Sequence, residues 1–271
     1  MEEKYGFPLY FGPSKGRIHS RYRYPSFIDA ISECHQLLNK PECQILLDGR
    51  NRVGAIMIKR QDQEVGVVLK EFKSQGVNKL KSLFLPSKAL RAWKGAVTLI
   101  ERGIDTPFPI AYLERRKGGF LDQSFYLAEK IDKAEEIRSV FLNASPERLK
   151  PLLVSLANYL SVCHQNGMLH RDLSDGNILV KKDEKGKIRF YFLDTNRIKF
   201  PKKMNTLRRI KNLIRLGVPS QYQSFFLKQY LGEHRRFLWL WYRMNKEIYT
   251  GYVVFKRKLR LRQLAQKLKI Q

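Results

Sequence analysis

Apolar residues cluster in three short strand-like runs, "CQILLD", "RVGAIMIK" and "EVGVVLKEF". The turn-forming "DGRN" and the polar "RQDQ" separate these runs, which predicts three consecutive strands of an antiparallel meander. At "PSKALRAWKGAVTLIERG" the pattern changes: Leu90, Trp93, Val97 and Ile100 recur on one helical face between a Pro-Ser start and a stop at Gly103. Strand signals return at "FPIAYLERR" and "QSFYLAEKI" with "KGG" as their turn, extending the meander to five strands with one helix inserted after the third. Ahead of the meander, "SFIDAISECHQLLNK" predicts a short helix that Ser26 could cap. Residues 1–25 mix Gly, Pro, Tyr and Arg without a clear period and predict an irregular segment.

Further along, "SPERLKPLLVSLANYLSVCHQNG" predicts a long helix whose apolar stripe is Leu149, Leu152, Leu153, Leu156, Leu160 and Cys163. Pro151 is expected in its first turn and Gly167 at its end. "NILV" and "IRFYFLD" then flank the charged turn "KKDEKGK" as a hairpin, and everything beyond Lys199 reads as helix and connecting loop. The order is thus α+β, a sheet-rich N-terminal part followed by a mainly helical one, divided at about residue 130 into segments 1–130 and 131–271.

Charge adds a second kind of information. The formal net charge is +27, and from Pro201 to the end eighteen Lys/Arg face two Glu, so +16 of the excess lies in the last quarter. Such a potential holds polyanions, whether anionic lipid, phosphorylated sugar or nucleic acid. Three cysteines without a CxxC pair give neither a disulfide framework nor a zinc site and fit a reducing compartment. No stretch approaches the roughly 18 apolar residues of a membrane span, and the first residues have no signal-peptide core.

The candidate chemistry sits in "MLHRDLSDGNILV". Its "HRDLSDGN" fits the H-R-D-x-x-x-x-N spacing of a phosphotransferase catalytic loop, with Asp172 aimed at a substrate hydroxyl and the Asn177 amide oxygen at a metal on nucleotide phosphates. Asp194, ending the strand "IRFYFLD", is the second candidate metal ligand; Thr195 and Asn196 follow it, so the Phe and Gly of a D-F-G motif are absent. "VGVVLK" nominates Lys70 for the phosphates, with Lys59 as runner-up and a water-facing strand-edge lysine as the bland alternative. Gly49, in a turn that also holds Arg50 and Arg52, could cover phosphates with backbone N–H groups, and a plain hairpin turn fits equally well. His170 reads as a structural support of the loop, Asp175 as a turn cap, and the aromatic run "FLWLWYRM" as core. The tail "FKRKLRLRQLAQKLKI" is either a solvated helix or a membrane-surface helix with Leu261, Leu264, Ala265 and Leu268 on its apolar side.

From "ILLDGR" to "SFFLKQYLG" the chain resembles the lipopolysaccharide core kinases, the Kdo and heptose kinase group with a protein-kinase-like fold. The resemblance rests on "VVLKEF", "PSKALRAWKGAVTLIERGIDTPFPIAYLE", "LHRDLSDGNILV", "LDTNRI" and "FFLKQYL". It implies a bilobal fold, with a five-stranded antiparallel sheet plus helix in the N-lobe, and transfer of the γ-phosphate of ATP to an inner-core sugar hydroxyl. The reaction would run at the cytoplasmic face of the inner membrane, where basic surface concentrates an anionic glycolipid. Carried over by position, Asp172 orients or deprotonates the hydroxyl, Asn177 and Asp194 bind Mg²⁺, and Lys70 holds the nucleotide phosphates. By fold analogy the backbone around Glu129 and Ile131 meets adenine. Two departures stand out: Ala92 beside Trp93 occupies the helix position where many kinases have a glutamate, with Glu101 about two turns away, and Ser174 replaces the lysine of many protein kinases. An atypical protein Ser/Thr kinase and a basic pseudokinase-like binding protein are the rival readings; the first lacks D-F-G and A-P-E, and the second is opposed by an intact Asp172, Asn177 and Asp194.

Overall fold

The computed structural model describes residues 6–49, 51–73 and 82–269, with side chains up to residue 259. In chain order the strands are β1 Phe7–Phe11, β2 Ser14–Ile18, β3 Gln44–Asp48, β4 Asn51–Arg60, β5 Gln63–Lys73, β6 Pro109–Lys117, β7 Phe120–Glu129, β8 Glu135–Glu136, β9 Leu169–His170, β10 Ile178–Lys182, β11 Ile188–Phe192 and β12 Ile198–Lys199. The helices are α1 Pro25–Ser32, α2 Cys34–Leu37, α3 Lys88–Glu101, α4 Ile137–Asn143, α5 Pro146–Gln165, α6 Thr206–Leu213, α7 Gln223–Leu231 and α8 Arg236–Lys269. The chain divides into two compact units, Met1–Glu135 with Leu179–Ile198, and Glu136–Ile178 with Lys199–Gln271. The sheet-rich first unit and mainly helical second one bear out the α+β, kinase-like class.

The first unit is built on an antiparallel sheet of order β1-β2-β6-β7-β5-β4-β3. All five expected strands are present, but β7 pairs with β5 and so separates it from β6. The meander therefore breaks at the α3 crossover, which carries the chain past one strand position. Residues 7–18 correct the irregular reading of the N-terminal segment: they form a β1–β2 hairpin that extends the sheet through the β2–β6 pair. Leu9 and Ile18 enter the core, and Arg17 bonds the Gly6 carbonyl at 3.0 Å.

Strand alternation assigns the two faces of this sheet. Val67 and Leu69 of β5 join Phe125 and Leu127 of β7 in a core covered by Phe27, Ile31, Cys34 and Leu37 of α1 and α2. Phe72 of β5 faces the other way, into a smaller cluster with Ala89, Trp93 and Val97 of α3 and with Tyr112. Lys70 shares parity with Phe72 and lies on the α3 face. Helix α3 is capped by Ser87, whose hydroxyl accepts the Leu90 N–H at 2.9 Å, and it ends before Gly103 at φ 67°. Its buried side is Ala89, Ala92, Trp93, Ala96, Val97 and Leu99, whereas Ile100 is turned outward. At α1, Pro25 opens the helix instead of a Ser26 cap, and the Ser26 hydroxyl bonds the Lys59 carbonyl.

In the second unit, α5 buries the expected stripe from Leu149 to Cys163 and packs against α7. Its first-turn proline is Pro146; Pro151 lies inside the helix, one turn further than expected. The expected C-terminal helix and the basic stretch after it are one helix, α8, of 34 residues. Helix α4 was not foreseen from sequence. None of the described helices is long and apolar enough to cross a membrane.

If the hairpin is part of the core, Ile18→Ala should cost about 2–5 kcal/mol in denaturant unfolding. Tyr10→Ala, on an exposed side chain of the same hairpin, should stay within about 0.5 kcal/mol. Equal, small effects of both would remove the hairpin from the cooperative unit.

Candidate active site

In the second unit, Gly167 at φ 76° ends α5 and the chain passes through β9 into the "HRDLSDGN" loop. His170 is completely buried; its Nδ1 accepts the Asp172 N–H at 3.1 Å, and its carbonyl accepts Asn212 Nδ2 at 2.7 Å. The ring therefore carries its proton on Nε2 and holds the loop backbone, as expected of a structural histidine. Asn177, at the end of a 3-10 turn over Asp175–Asn177, donates through Nδ2 to the Asp172 carbonyl at 2.8 Å and to Ser174 Oγ at 3.1 Å. With the amide nitrogen engaged on the loop itself, the Asn177 oxygen is the face left to meet a cation. Ser174, where many protein kinases carry lysine, orients Asn177 through its hydroxyl.

Asp172 is held from below by Arg215, whose guanidinium reaches Oδ1 at 2.7 Å and the Arg171 carbonyl at 3.4 Å. Asp175 is not the turn cap expected of it. Its carboxylate takes Arg138 of α4 through two bonds of 3.2 Å, and a Cβ on Gly217 would come within 2.5 Å of it. Asn212 continues the network: its Oδ1 meets His164 Nε2 at 3.1 Å, and His164 Nδ1 meets the Tyr230 hydroxyl at 2.7 Å. Burial lowers the His164 pKa to about 4, keeping the ring neutral between those partners. Arg215, Arg138, Asn212 and His164 all escaped sequence reasoning; none belongs to a motif, and Arg138 lies on the helix that periodicity did not mark.

In the first unit, Lys70 Nζ is ion-paired with Asp194 Oδ1, joining β5 to the end of the β10–β11 hairpin. Asp194 is one of three non-glycine residues at positive φ among the described residues, at φ 53° and ψ 43°. Such a conformation costs about 1 kcal/mol or more and persists where surroundings enforce it. The surroundings here are explicit. Thr195 Oγ1 donates to the Ala92 carbonyl of α3 at 2.8 Å, and Gly95, one turn on, comes so close that a Cβ would lie 2.3 Å from the Thr195 oxygen. Small residues thus stand where a kinase helix would offer glutamate, and the lysine finds Asp194 instead. The hairpin is also anchored by Arg189 to Asp105 at 2.7 and 3.0 Å and by Thr106 Oγ1 to the Phe192 carbonyl at 2.7 Å.

The remaining candidates lie along the same sheet. Glu129 pairs in register with Val67, three residues from Lys70 along β5, or about 10 Å. Its N–H donates to the Phe108 carbonyl and that of Lys130 to the Gly66 carbonyl, at 2.9 and 2.8 Å, so both point inward; burial raises the Glu129 carboxyl pKa, opposed by Arg21. Ile131 follows, half-buried. Gly49 lies exposed in the β3–β4 turn, near the opposite end of β5, where Asn51 pairs with Phe72; Arg50 lies outside the described residues. Lys59 is exposed near the far end of β4, opposite Glu64. The apolar positions Leu261, Leu264, Ala265 and Leu268 also lie outside the described side chains.

A family model described as "Lipopolysaccharide kinase (Kdo/WaaP) family" matches residues 78–231, more than half of the 271-residue chain. The chain belongs to this family. The match takes in α3, the "HRDLSDGN" loop and Asp194, while Lys70 and Gly49 precede it. Among solved structures, the chain is similar to one described as "WaaP in complex with acyl carrier protein", with a TM-score of 0.55 and 18% identity over 79% of this chain and 91% of that one. At that identity the likeness speaks for the fold alone. No curated protein matches the chain. Membership in the Kdo/WaaP family supports kinase action on lipopolysaccharide and implies ATP as phosphoryl donor.

Two constraints of the site are open to measurement. The unfolded chain protonates an ordinary histidine near pH 6.5, whereas folded His164 resists until about 4, so its stabilisation is complete above pH 6.5 and is lost as pH falls toward 4. Urea unfolding should show a loss of about 1 kcal/mol between about pH 7.5 and about pH 5.5, and a flatter profile in His164→Gln. Gly95→Ala should destabilise by about 1–3 kcal/mol, since either α3 or the Thr195 turn must shift; unchanged stability would mean that the close approach is not a constraint.

Proposed function

We propose that this protein transfers the γ-phosphate of ATP to a sugar hydroxyl of the lipopolysaccharide inner core. The observation that supports this most strongly is the Lys70–Asp194 ion pair, which joins a strand lysine to a strand-ending aspartate held in a strained backbone conformation. Segment 1–130 would cover the nucleotide, with the Glu129–Ile131 backbone against adenine, Lys70 on the phosphates and the Gly49 turn above them. Segment 131–271 would supply the catalytic loop.

Asp172 would orient the acceptor hydroxyl and take its proton as the oxygen bonds to phosphorus and ADP leaves. Arg215 fixes the carboxylate through Oδ1, which leaves Oδ2 to face the substrate. Asn177 and Asp194 supply an amide oxygen and a carboxylate, hard donors that suit Mg²⁺, an ion that commonly keeps waters and phosphate oxygens as its other ligands. Bound there, the ion would neutralise charge developing on the transferred phosphoryl group. Lys70 would exchange Asp194 for phosphate oxygens when nucleotide arrives, releasing the carboxylate for the metal.

The acceptor would be reached at the inner face of the bacterial inner membrane. Helix α8 supports peripheral contact: Phe237, Leu240, Met244, Ile248, Tyr252, Phe255 and Leu259 form an exposed apolar stripe at helical spacing. Arg243, Lys256, Arg257 and Lys258 accompany it, the combination that lies in an anionic interface.

Asp172→Asn and Asp194→Asn should each lower turnover by about 10²–10⁴-fold with the far-UV circular dichroism unchanged. Lys70→Ala should raise the KM for ATP and lower kcat. The readout is mass spectrometry of a phosphate-deficient lipopolysaccharide acceptor incubated with ATP, looking for the gain of one phosphate. Full turnover in either aspartate variant, or a phosphate gained by polypeptide and not by glycolipid, would refute the proposal.

A further inference from the structure

A pocket of about 190 Å³ opens in the first unit at the N-terminal end of α3. Lys73, Lys88 and Arg91 contribute three cations to its lining; among the described residues no acid lines it, and none stands in the first turn of the helix. The first-turn N–H groups and the macrodipole of this 14-residue helix add positive potential in the same place. Phe72, Leu85 and Leu121 form an apolar wall.

An independent observation points to a ligand. Ser124 lines the pocket and is 0% exposed, yet its Oγ has no hydrogen-bond partner among the described residues. It sits on β7 between Phe72 of β5 and the buried Glu114 of β6, on the α3 side of the sheet that the pocket also occupies. A buried hydroxyl without a partner costs about 1–3 kcal/mol. An oxyanion in the pocket would accept a hydrogen bond from it.

We infer that this pocket binds a phosphate group. Three cations, a helix N-terminus and one buried hydroxyl donor match the several acceptor oxygens of a phosphate better than the two of a carboxylate. The apolar wall, together with Phe84 beside it at 85% exposure, also allows the phosphate to belong to a lipid headgroup. The pocket shares Phe72 with Lys70, whose Nζ lies 5.3 Å from that ring, but Ser124, Lys73, Lys88 and Arg91 are outside the proposed catalytic set.

The test uses the full chain in chloride buffer at fixed ionic strength, titrated calorimetrically with inorganic phosphate. In parallel, it is floated with phosphatidylcholine vesicles with and without phosphatidic acid. Binding should saturate at one phosphate per chain and weaken at least about fivefold in Ser124→Ala, the loss of about 1 kcal/mol expected for one hydrogen bond. Arg91→Gln should weaken it further, and Lys59→Glu, a charge change elsewhere on the sheet, should leave it alone. Because Ser124→Ala removes an unpaired buried hydroxyl, its Tm without phosphate should equal or exceed that of the parent, while the phosphate-induced rise in Tm is lost. Binding of inorganic phosphate identifies a soluble ligand. Ser124-dependent flotation with phosphatidic acid alone identifies a headgroup. Binding in both arms that is absent, or insensitive to Ser124→Ala, or lost equally in Lys59→Glu, overturns the inference, whatever the outcome for phosphotransfer.

Discussion

The close approach of α3 to the Asp194–Thr195 turn is the constraint on which the first unit depends. Gly95 has no Cβ, so the turn comes within contact of the helix, and the Ala92 carbonyl takes the Thr195 hydroxyl. Pinned there, the chain passes through Asp194 in a left-handed conformation and delivers its carboxylate to Lys70. A glutamate on α3 would serve the same lysine from a helix that can tilt. Here the lysine is positioned by a strand, and its partner by a turn wedged against small side chains. The orienting function of the missing glutamate thus falls to packing.

The second unit solves a different problem, the support of a loop rich in charge. Its polar groups form a chain from Tyr230 through His164 and Asn212 to His170, ending on the Asp172 N–H. Each link is buried or half-buried and satisfied, so the loop backbone has one arrangement in which no donor is stranded. Lys246 strengthens the frame: nearly buried in α8, it bonds the carbonyls of Ile214 and Leu216 at 2.6 and 2.5 Å, on either side of Arg215. Burial lowers its pKa to about 8, opposed by the Asp175 carboxylate. Arg215 therefore meets Asp172 from a segment fixed at both shoulders.

Local pattern revealed the elements whose sides differ in polarity, and failed where pairing or packing made the decision. The runs around Ile58, Val67 and Phe125 are legible because their apolar residues fill a buried sheet core, and α5 because its stripe is continuous. The β1–β2 hairpin buries Leu9 and Ile18 and packs Phe7 and Phe11 against the same core, but Pro8, Gly12, Pro13 and Gly16 interrupt the local pattern that would mark strands. The order of β6 and β7 was hidden because a meander and a crossover leave the same local alternation. Among site residues, Asp172, Asn177, Asp194 and Lys70 announced themselves by spacing. Arg215 on Asp172, Arg138 on Asp175 and Thr195 on Ala92 are contacts brought about by tertiary folding, over separations from 37 residues for Arg138 and Asp175 to 103 for Thr195 and Ala92.

The excess of cations has a consequence for the site itself. With 52 Lys and Arg against 25 Asp and Glu, an acid rarely stands alone, and Asp172, Asp175 and Asp194 each meet a cation. Partly exposed pairs of this kind contribute little to stability, about 0–1 kcal/mol each, so parting them costs little. An incoming polyanion would give Lys70 new oxygens at the moment it releases Asp194, exchanging one ion pair for another without leaving either charge bare. Pairing in the free protein then keeps the carboxylates in place without holding them out of reach, and the net positive field would draw in an anion able to displace them.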